Sequence, residues 1–201
     1  MQGKVLLSTA YLPPAEYFAR ILKAEEVLIE REENYLKQSY RNRCYILSPS
    51  GIQALTVPVY LGSIHKTVIR DIRIDYSKRW QKVHIGAISS SYGSSPFFIY
   101  FYEIIEKIIL GNYQFLLDLN MDLLTAILKM MSINVGVSYT TEFSPVAKAG
   151  NDFRYSIGPK KKPDYNPKPY IQVFSHVKDH TGKLSIIDLL FNAGPDLLNY
   201  L

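Results

Sequence analysis

The sequence predicts an α/β or α+β fold, and three features of its 201 residues indicate it. Two short apolar segments near the N-terminus flank a helical one, which is the pattern of a βαβ unit. A turn containing proline and glycine then joins two strands in a hairpin. Amphipathic segments with helical spacing follow. We therefore expect a mixed sheet of about five to seven strands, packed by at least three helices, in a single domain over residues 1–201.

The βαβ unit is predicted at the start of the chain. Residues 5–8 and 27–29 are short apolar strands, and residues 15–23 carry apolar side chains at helical spacing. Pro14 suits the first turn of that helix, because the first amides of a helix have no internal acceptor. A helix that crosses between two strands implies that the strands are parallel.

A hairpin is predicted next, and a further strand after it. The hairpin comprises residues 43–47 and 52–60 around the turn Ser48-Pro49-Ser50-Gly51. Proline at the second position and glycine at the fourth are typical of a type I turn. Residues 68–74 alternate apolar and charged side chains, so they predict another strand at an edge of the sheet.

Three helices are predicted after that strand. Residues 78–91 and 112–131 have helical periodicity, and a helix between them begins at Ser95-Pro96 and ends at Gly111. The apolar stripes of the second and third helices belong to the core, because such stripes normally pack against other elements.

The last third of the chain contains a long loop between ordered segments. Residues 135–141 predict a return strand. Residues 147–168 lose apolar periodicity and contain the run Lys160-Lys161-Lys162, which predicts a long, irregular, basic loop. The lysine run either closes over a phosphate or is a solvated face. Ser185 begins a final helix, and Asp188 completes a predicted capping box.

Composition narrows the class of partner. Lys and Arg number 23 against 18 Asp and Glu, so the net charge of +5 favours an anionic small molecule. No nucleic-acid-binding module is recognisable, and nucleic acid is not an expected partner. No apolar run is long enough for a transmembrane segment or a signal peptide. We therefore expect a cytoplasmic protein, which is consistent with its single cysteine, Cys44.

Short motifs assign no enzyme class, because the sequence has no phosphate-binding loop, dinucleotide fingerprint or zinc-protease motif. His176 and His180 are four residues apart, but no further ligands lie near them, so no metal site is predicted. The sequence does not define a cofactor.

The densest polar stretch, residues 33–43, follows the second predicted strand. Ligands of open α/β sheets bind beyond the carboxyl ends of parallel strands, where this stretch and Tyr11 are expected to lie. Lys37, Arg41 and Arg43 are candidate ligands for phosphate or carboxylate. The candidate substrate-binding set is Tyr11, Lys37, Tyr40, Arg41, Asn42 and Arg43. The alternative is a solvated, arginine-rich surface loop.

Candidate catalytic residues lie between positions 71 and 84. His84 is four residues after Trp80 on a predicted helix, and an imidazole is the commonest general base. Asp71 is the candidate to orient it. The alternative is a buried histidine that a backbone carbonyl satisfies beside a core tryptophan.

Several segments, taken in order along the chain, resemble the WbqC-like protein family, in the variant found in Bacteroides-type bacteria. The segments are Tyr11-Leu12-Pro13 with Tyr17-Phe18, Asn34-Tyr35 with Lys37 to Arg43, Leu55 to Val59, Trp80 with His84, Tyr92 with Pro96-Phe97-Phe98, and Leu184 to Asn192. The resemblance covers nearly the whole chain. It departs from the family pattern at Thr9-Ala10, where many members have Gln-Pro, and at residues 151–162.

The resemblance implies a place in O-antigen or other surface-polysaccharide biosynthesis. It suggests a transferase that moves an acyl or aminoacyl group onto a nucleotide-linked or lipid-linked sugar. A nucleotide sugar is then the expected ligand, and a glycosyltransferase is a possible protein partner. The alternative is a non-catalytic protein of the same pathway, which binds the sugar nucleotide or assists assembly.

Overall fold

A computed structural model describes residues 2–60, 67–145, 151–165, 167–174 and 182–201. Within these residues the strands are β1 (Gln2–Ser8), β2 (Ala24–Glu30), β3 (Arg43–Ser48), β4 (Gly51–Thr56) and β5 (Gly136–Tyr139). The α-helices are α1 (Ala15–Ile21), α2 (Trp80–Tyr92), α3 (Phe98–Ile109), α4 (Leu116–Met130) and α5 (Ile186–Ala193). The predicted α/β class is confirmed. None of the described helices has the length and apolar character that a bilayer crossing requires.

The predicted βαβ unit is confirmed. Strands β1 and β2 pair in parallel, with Val5 opposite Val27, and α1 connects them. The predicted return strand is β5, which adds to the other side of β2, also in parallel. Ser8 lies opposite Glu30, and Ile29 lies opposite Tyr139. The carboxyl ends of all three strands therefore meet at one edge of the sheet.

The predicted hairpin is confirmed, but it forms a sheet of its own rather than extending the parallel one. Strands β3 and β4 pair antiparallel, and Ser48 faces Gly51 at the turn. Gly51 has a φ of 114°, which L side chains rarely adopt. The second strand ends at Thr56 and not at residue 60, because Pro58 has no amide to donate to a ladder.

The predicted strand at residues 68–74 is wrong. Residues Ile69–Asp71 form a single 3-10 turn, and residues around it make only isolated bridges. Ile69, Ile72 and Ile74 are buried, so the buried positions are spaced by three and then by two. That spacing places a turn before an extended segment, whereas a half-buried strand needs strict alternation.

The three predicted helices correspond to α2, α3 and α4, with ends shifted by a few residues. The capping box predicted at the final helix is half right. The Ser185 side chain accepts a hydrogen bond from the Ile187 amide. The Asp188 carboxylate instead turns into the core, where the hydroxyls of Tyr92 and Tyr170 donate to it at 3.1 and 2.6 Å. Buried hydroxyls need acceptors, and this need determines where the carboxylate points.

Candidate functional site

Buried charges lie beyond the carboxyl ends of the parallel strands. The Arg41 guanidinium donates from Nε and Nη2 to the two oxygens of Glu33, at 2.8 and 2.6 Å. The Arg41 side chain is 2% exposed, and that of Glu33 is fully buried. Such a two-point contact fixes the plane of the guanidinium as well as its position.

Arg154 is the second guanidinium of this cluster, and no part of it is exposed. Its Nη1 donates to Glu30 Oε2 at 2.7 Å, and its Nη2 donates to Asp152 Oδ2 at 2.6 Å. Asp152 forms a bridge beside Leu6 of β1. The ion pair of Arg154 with Glu30 therefore attaches residues 151–154 to the end of β2, and the bridge at Leu6 attaches them to β1.

A cavity of about 250 Å³ opens above these charges, and we name it the lysine pocket. Its lining comes from Leu36–Ser39, Arg41, Arg154, Tyr155 and residues 157–161. The buried side chains of Arg41 and Arg154 form the inner wall, while the exposed side chains of Lys37, Lys160 and Lys161 form the rim. The pocket is thus built from the polar stretch after β2 and from the basic loop.

Both the wall and the rim of the lysine pocket contain nitrogen atoms that make no hydrogen bond or ion pair with the described residues. Arg41 Nη1 has no acceptor among the residues that the structure describes, although Nε and Nη2 both donate. The rim lysines Lys37, Lys160 and Lys161 make no ion pair within the described parts of the chain. A guanidinium nitrogen on a buried side chain and three ammonium groups, none of them with an ion-pair partner of its own among the described residues, surround one cavity and suit a bound anion.

Of the six predicted substrate-binding residues, Lys37 and Arg41 line the lysine pocket. Tyr40 does not line it. The Tyr40 ring is 5% exposed, and its hydroxyl points to the backbone oxygen of Lys183 at 3.5 Å. Burial raises the pKa of Tyr40, so the ring is a neutral packing element at physiological pH.

Asn42 and Arg43 also contact the protein rather than the pocket. Asn42 Nδ2 donates to the Val57 carbonyl at 2.8 Å, and Arg43 Nε donates to Thr56 Oγ1 at 3.0 Å. These contacts join the polar stretch to the end of the hairpin. Because Arg41 and Asn42 are buried, the alternative of a solvated surface loop is also wrong for the centre of this stretch.

Tyr11 and His84 form a buried pair. The Tyr11 hydroxyl lies 2.9 Å from His84 Nδ1, and both residues are at most 3% exposed. Burial lowers the pKa of His84 to about 4, against a smaller opposing effect of a hydrogen bond with the Thr56 backbone. Burial also raises the pKa of Tyr11 well above its usual value. The pair is therefore neutral at pH 7, and Tyr11 has no exposed face for a ligand.

The structure does not place Asp71 as the partner of His84. The Asp71 carboxylate is 59% exposed and lies 3.8 Å from the guanidinium of Arg70. His84 instead contacts Tyr11, and its ring meets the Trp80 ring edge-on with centroids 5.1 Å apart. Trp80 and His84 line a separate groove between α2 and β4. These contacts match the alternative interpretation, in which His84 is a buried, hydrogen-bonded histidine beside a buried tryptophan.

Comparison with known proteins gives a family for this arrangement. The model of the WbqC-like protein family matches residues 9–160, which is more than half of the chain. This chain belongs to the WbqC-like family. The matched stretch includes the first segment of the lysine pocket, residues 36–41, and all of the second segment, residues 154–161, except Lys161.

Comparisons with curated proteins and with solved structures give less information about this chain than the family match does. The "Uncharacterized protein Rv1507c" of Mycobacterium tuberculosis is 25% identical over 229 aligned residues, covering 100% of this chain and 99% of the relative. No solved structure matches the chain significantly. Contacts inside this WbqC-like chain are therefore the main basis for assigning roles to its residues.

The two departures from the WbqC-like pattern lie in different surroundings. Thr9 is 3% exposed, and its hydroxyl accepts from Asn120 Nδ2 at 3.1 Å. Ala10 is 4% exposed. The departure at Thr9-Ala10 is therefore one of packing. Residues 151–162, by contrast, include part of the lysine pocket, so a difference there changes the pocket itself.

Sequence reasoning missed five residues of this WbqC-like site: Glu30, Glu33, Asp152, Arg154 and Tyr155. Glu30 could have been predicted from the sequence, because it is a carboxylate at the end of a buried strand, where α/β proteins bind their ligands. Arg154 could not have been predicted, because it lies in a segment without apolar periodicity. Among the described residues no group of His, Cys, Asp and Glu could hold a metal ion, and His65, His176 and His180 lie outside them.

Proposed function

We propose that this protein binds a nucleotide-linked or lipid-linked sugar through its phosphates in the lysine pocket, as a step in O-antigen or other surface-polysaccharide biosynthesis. The lysine pocket supports the ligand, and the family resemblance supports the pathway. The observation that carries the proposal is Arg41 Nη1, which has no acceptor among the described residues and belongs to a 2% exposed side chain at the pocket wall. A phosphate oxygen is a strong acceptor for such a group.

The rim supplies the rest of the recognition. Lys37 approaches from one segment, and Lys160 and Lys161 approach from the other, so a phosphate between them contacts both sides of the pocket. A lysine ammonium is a mobile point charge and needs no fixed orientation. The Glu33 pair holds Arg41 in one orientation, so the wall is preorganised while the rim adapts.

Transfer of an acyl or aminoacyl group from an activated thioester onto that sugar is the reaction we propose. The sugar hydroxyl or amine forms the new ester or amide bond as the C–S bond of the thioester breaks, and the thiol leaves with the proton that the base has taken. Its base would be His84, whose imidazole is neutral at pH 7 and can accept a proton from an attacking hydroxyl or amine. Because His84 lines the groove between α2 and β4 and not the lysine pocket, this role requires the sugar to extend from the pocket to that groove. Tyr11, and not Asp71, would orient the ring through the 2.9 Å contact with Nδ1. The Tyr11 hydroxyl must leave Nδ1 before the ring can take a proton there, because the bond with the Thr56 backbone already favours the protonated ring.

The second candidate is a non-catalytic protein that holds the sugar for a glycosyltransferase. One observation favours it: no His, Cys, Asp or Glu lines the lysine pocket within the described chain. His84 is buried and already hydrogen-bonded, so the pocket has no free carboxylate or imidazole beside the ligand. The two candidates share the ligand and differ only in whether a product forms.

Calorimetric titration with UDP-N-acetylglucosamine tests the proposal. We expect the Lys160→Ala/Lys161→Ala variant to bind at least about tenfold more weakly than wild type, since charged hydrogen bonds contribute about 1.5–3 kcal/mol each. Lys107→Ala is the matched control, because Lys107 is an exposed lysine of α3 away from the pocket. Equal binding by the double variant and the control would contradict the proposed site.

Product analysis then separates the two candidates. The protein is incubated with UDP-N-acetylglucosamine and an acyl-coenzyme A, and the sugar is examined by mass spectrometry. An acylated sugar that disappears in His84→Gln supports the transferase. Binding without any acylated product under the same conditions favours the non-catalytic protein.

A further inference from the structure

A second cavity lies between α2 and β4, and we name it the α2–β4 groove. Its volume is about 380 Å³, and its lining comes from residues 53–56, Pro58, Lys78 to Trp80, Val83 and His84. It shares no lining residue with the lysine pocket. The groove therefore needs an explanation of its own.

Its charged groups are all basic. Lys78 and Arg79 are exposed and line the groove, and no Asp or Glu is among the described lining residues. A third cation, Arg43, donates to the Thr56 hydroxyl on the groove floor at 3.0 Å. Asp75 is close enough for Lys78 to lower its pKa, but it does not line the groove. The potential at the groove is positive.

Helix α2 begins at the groove and has no cap. Trp80 is its first residue, and the N-cap residue, Arg79, makes no side-chain hydrogen bond to the first turn. That turn also contains no acidic residue. The first amides of the 13-residue helix therefore keep their partial positive charge, which favours an anion at this end.

An unpaired donor gives independent evidence for a ligand. Trp80 lines the groove and is 5% exposed, and its indole Nε1 has no acceptor among the described residues. Leaving a buried donor unpaired costs about 1–3 kcal/mol, so native proteins rarely do so without a reason. An acceptor atom brought by a bound molecule would satisfy it.

Apart from Gln53 and His84, the remaining lining is apolar or small. Val83 is 62% exposed on α2, and Ala54 and Pro58 face it across the groove lining. We propose that the α2–β4 groove is a second binding site, for an anion with an apolar body. Its phosphate or carboxylate meets the start of α2, Lys78 and Arg79, and its apolar part covers Val83. The proposal does not depend on the function of the lysine pocket.

Fluorescence tests this site directly, because Trp80 is the only tryptophan of the chain. The full-length protein is titrated with hexyl phosphate and, separately, with hexanoate while the emission of Trp80 is followed. We expect a saturable change with at least one of the two probes. The tighter probe identifies the charged group that the groove prefers.

Variants decide whether the response comes from the groove. We expect Lys78→Ala/Arg79→Ala to weaken binding at least tenfold, while Lys82→Ala, an exposed lysine of the same helix outside the lining, leaves it unchanged. Lys37→Ala, in the other pocket, also leaves it unchanged. The proposal is overturned if neither probe gives a saturable change, or if the double variant binds as tightly as Lys82→Ala.

Discussion

The wall of the lysine pocket contains Arg41 and Arg154, and its rim contains Lys37, Lys160 and Lys161. Both carry positive charge, yet the wall guanidiniums are buried and paired with carboxylates, whereas the rim ammoniums are exposed and make no ion pair within the described chain. Removing one member of a buried pair leaves the other charge unpaired, which water cannot relieve. The wall charges therefore stabilise the fold, and in the proposed function they also contact the ligand, whereas the rim charges have no ion-pair role within the described chain.

The largest effect is expected at the wall. Arg154→Met removes the partner of two buried carboxylates, and we expect the free energy of unfolding to fall by about 3–5 kcal/mol. Urea denaturation followed by circular dichroism measures it. Arg70→Ala is the control, since Arg70 is 46% exposed and surface pairs contribute about 0–1 kcal/mol. If both variants lose the same stability, the contrast between buried and exposed charge does not hold.

His84 extends the comparison to a buried group without a charged partner. Its pKa is about 4 in the folded protein against an ordinary value of 6.5, so below pH 6.5 the unfolded chain binds a proton that the folded chain does not. Stability should therefore decrease as the pH falls from 6.5 to 4, by about 3 kcal/mol in total. Denaturation curves across this range measure it. In His84→Gln the dependence should be flatter, and an unchanged slope would show that other groups cause it.

The smallest effect on stability is expected at the rim. Lys160→Ala and Lys161→Ala remove exposed charges that make no ion pair with any described residue, so the free energy of unfolding should change by less than about 0.5 kcal/mol. Repulsion among the three lysines would be relieved, so any change should be towards higher stability. The midpoint of urea denaturation measures it. A loss of several kcal/mol would mean that the rim, like the wall, holds the fold together.

Local signals predicted the fold well. The βαβ unit and the hairpin follow from short-range periodicity and turn residues, and both are present. The strand predicted at residues 68–74 was wrong because Ile69, Ile72 and Ile74 are buried by contacts with distant segments. The alternation of apolar and charged residues alone cannot reveal such contacts. The side of the sheet that carries the pocket was also predictable, because it follows from parallel pairing.

The candidate site was predicted less completely than the fold. Lys37 and Arg41 were placed in it by residue type and by their position after β2, and both line the pocket. Arg43, two residues later, has the same chemistry but bonds to Thr56. Which arginine turns towards a ligand depends on Glu33 and on a segment more than a hundred residues away. Sequence spacing contains no information of that kind.

The attachment of Arg154 also determines when the pocket can form. Its ion pair with Glu30 joins residues 124 positions apart, and the contact of Arg41 with the Arg154 carbonyl joins residues 113 apart. Closing such long loops is slow, because chain entropy is lost before the contacts form. During synthesis, β1 and β2 can pair long before residues 151–154 emerge from the ribosome. The pocket is therefore completed late in folding, and in a nascent chain that has not reached Arg154 the Glu30 carboxylate still lacks its guanidinium partner.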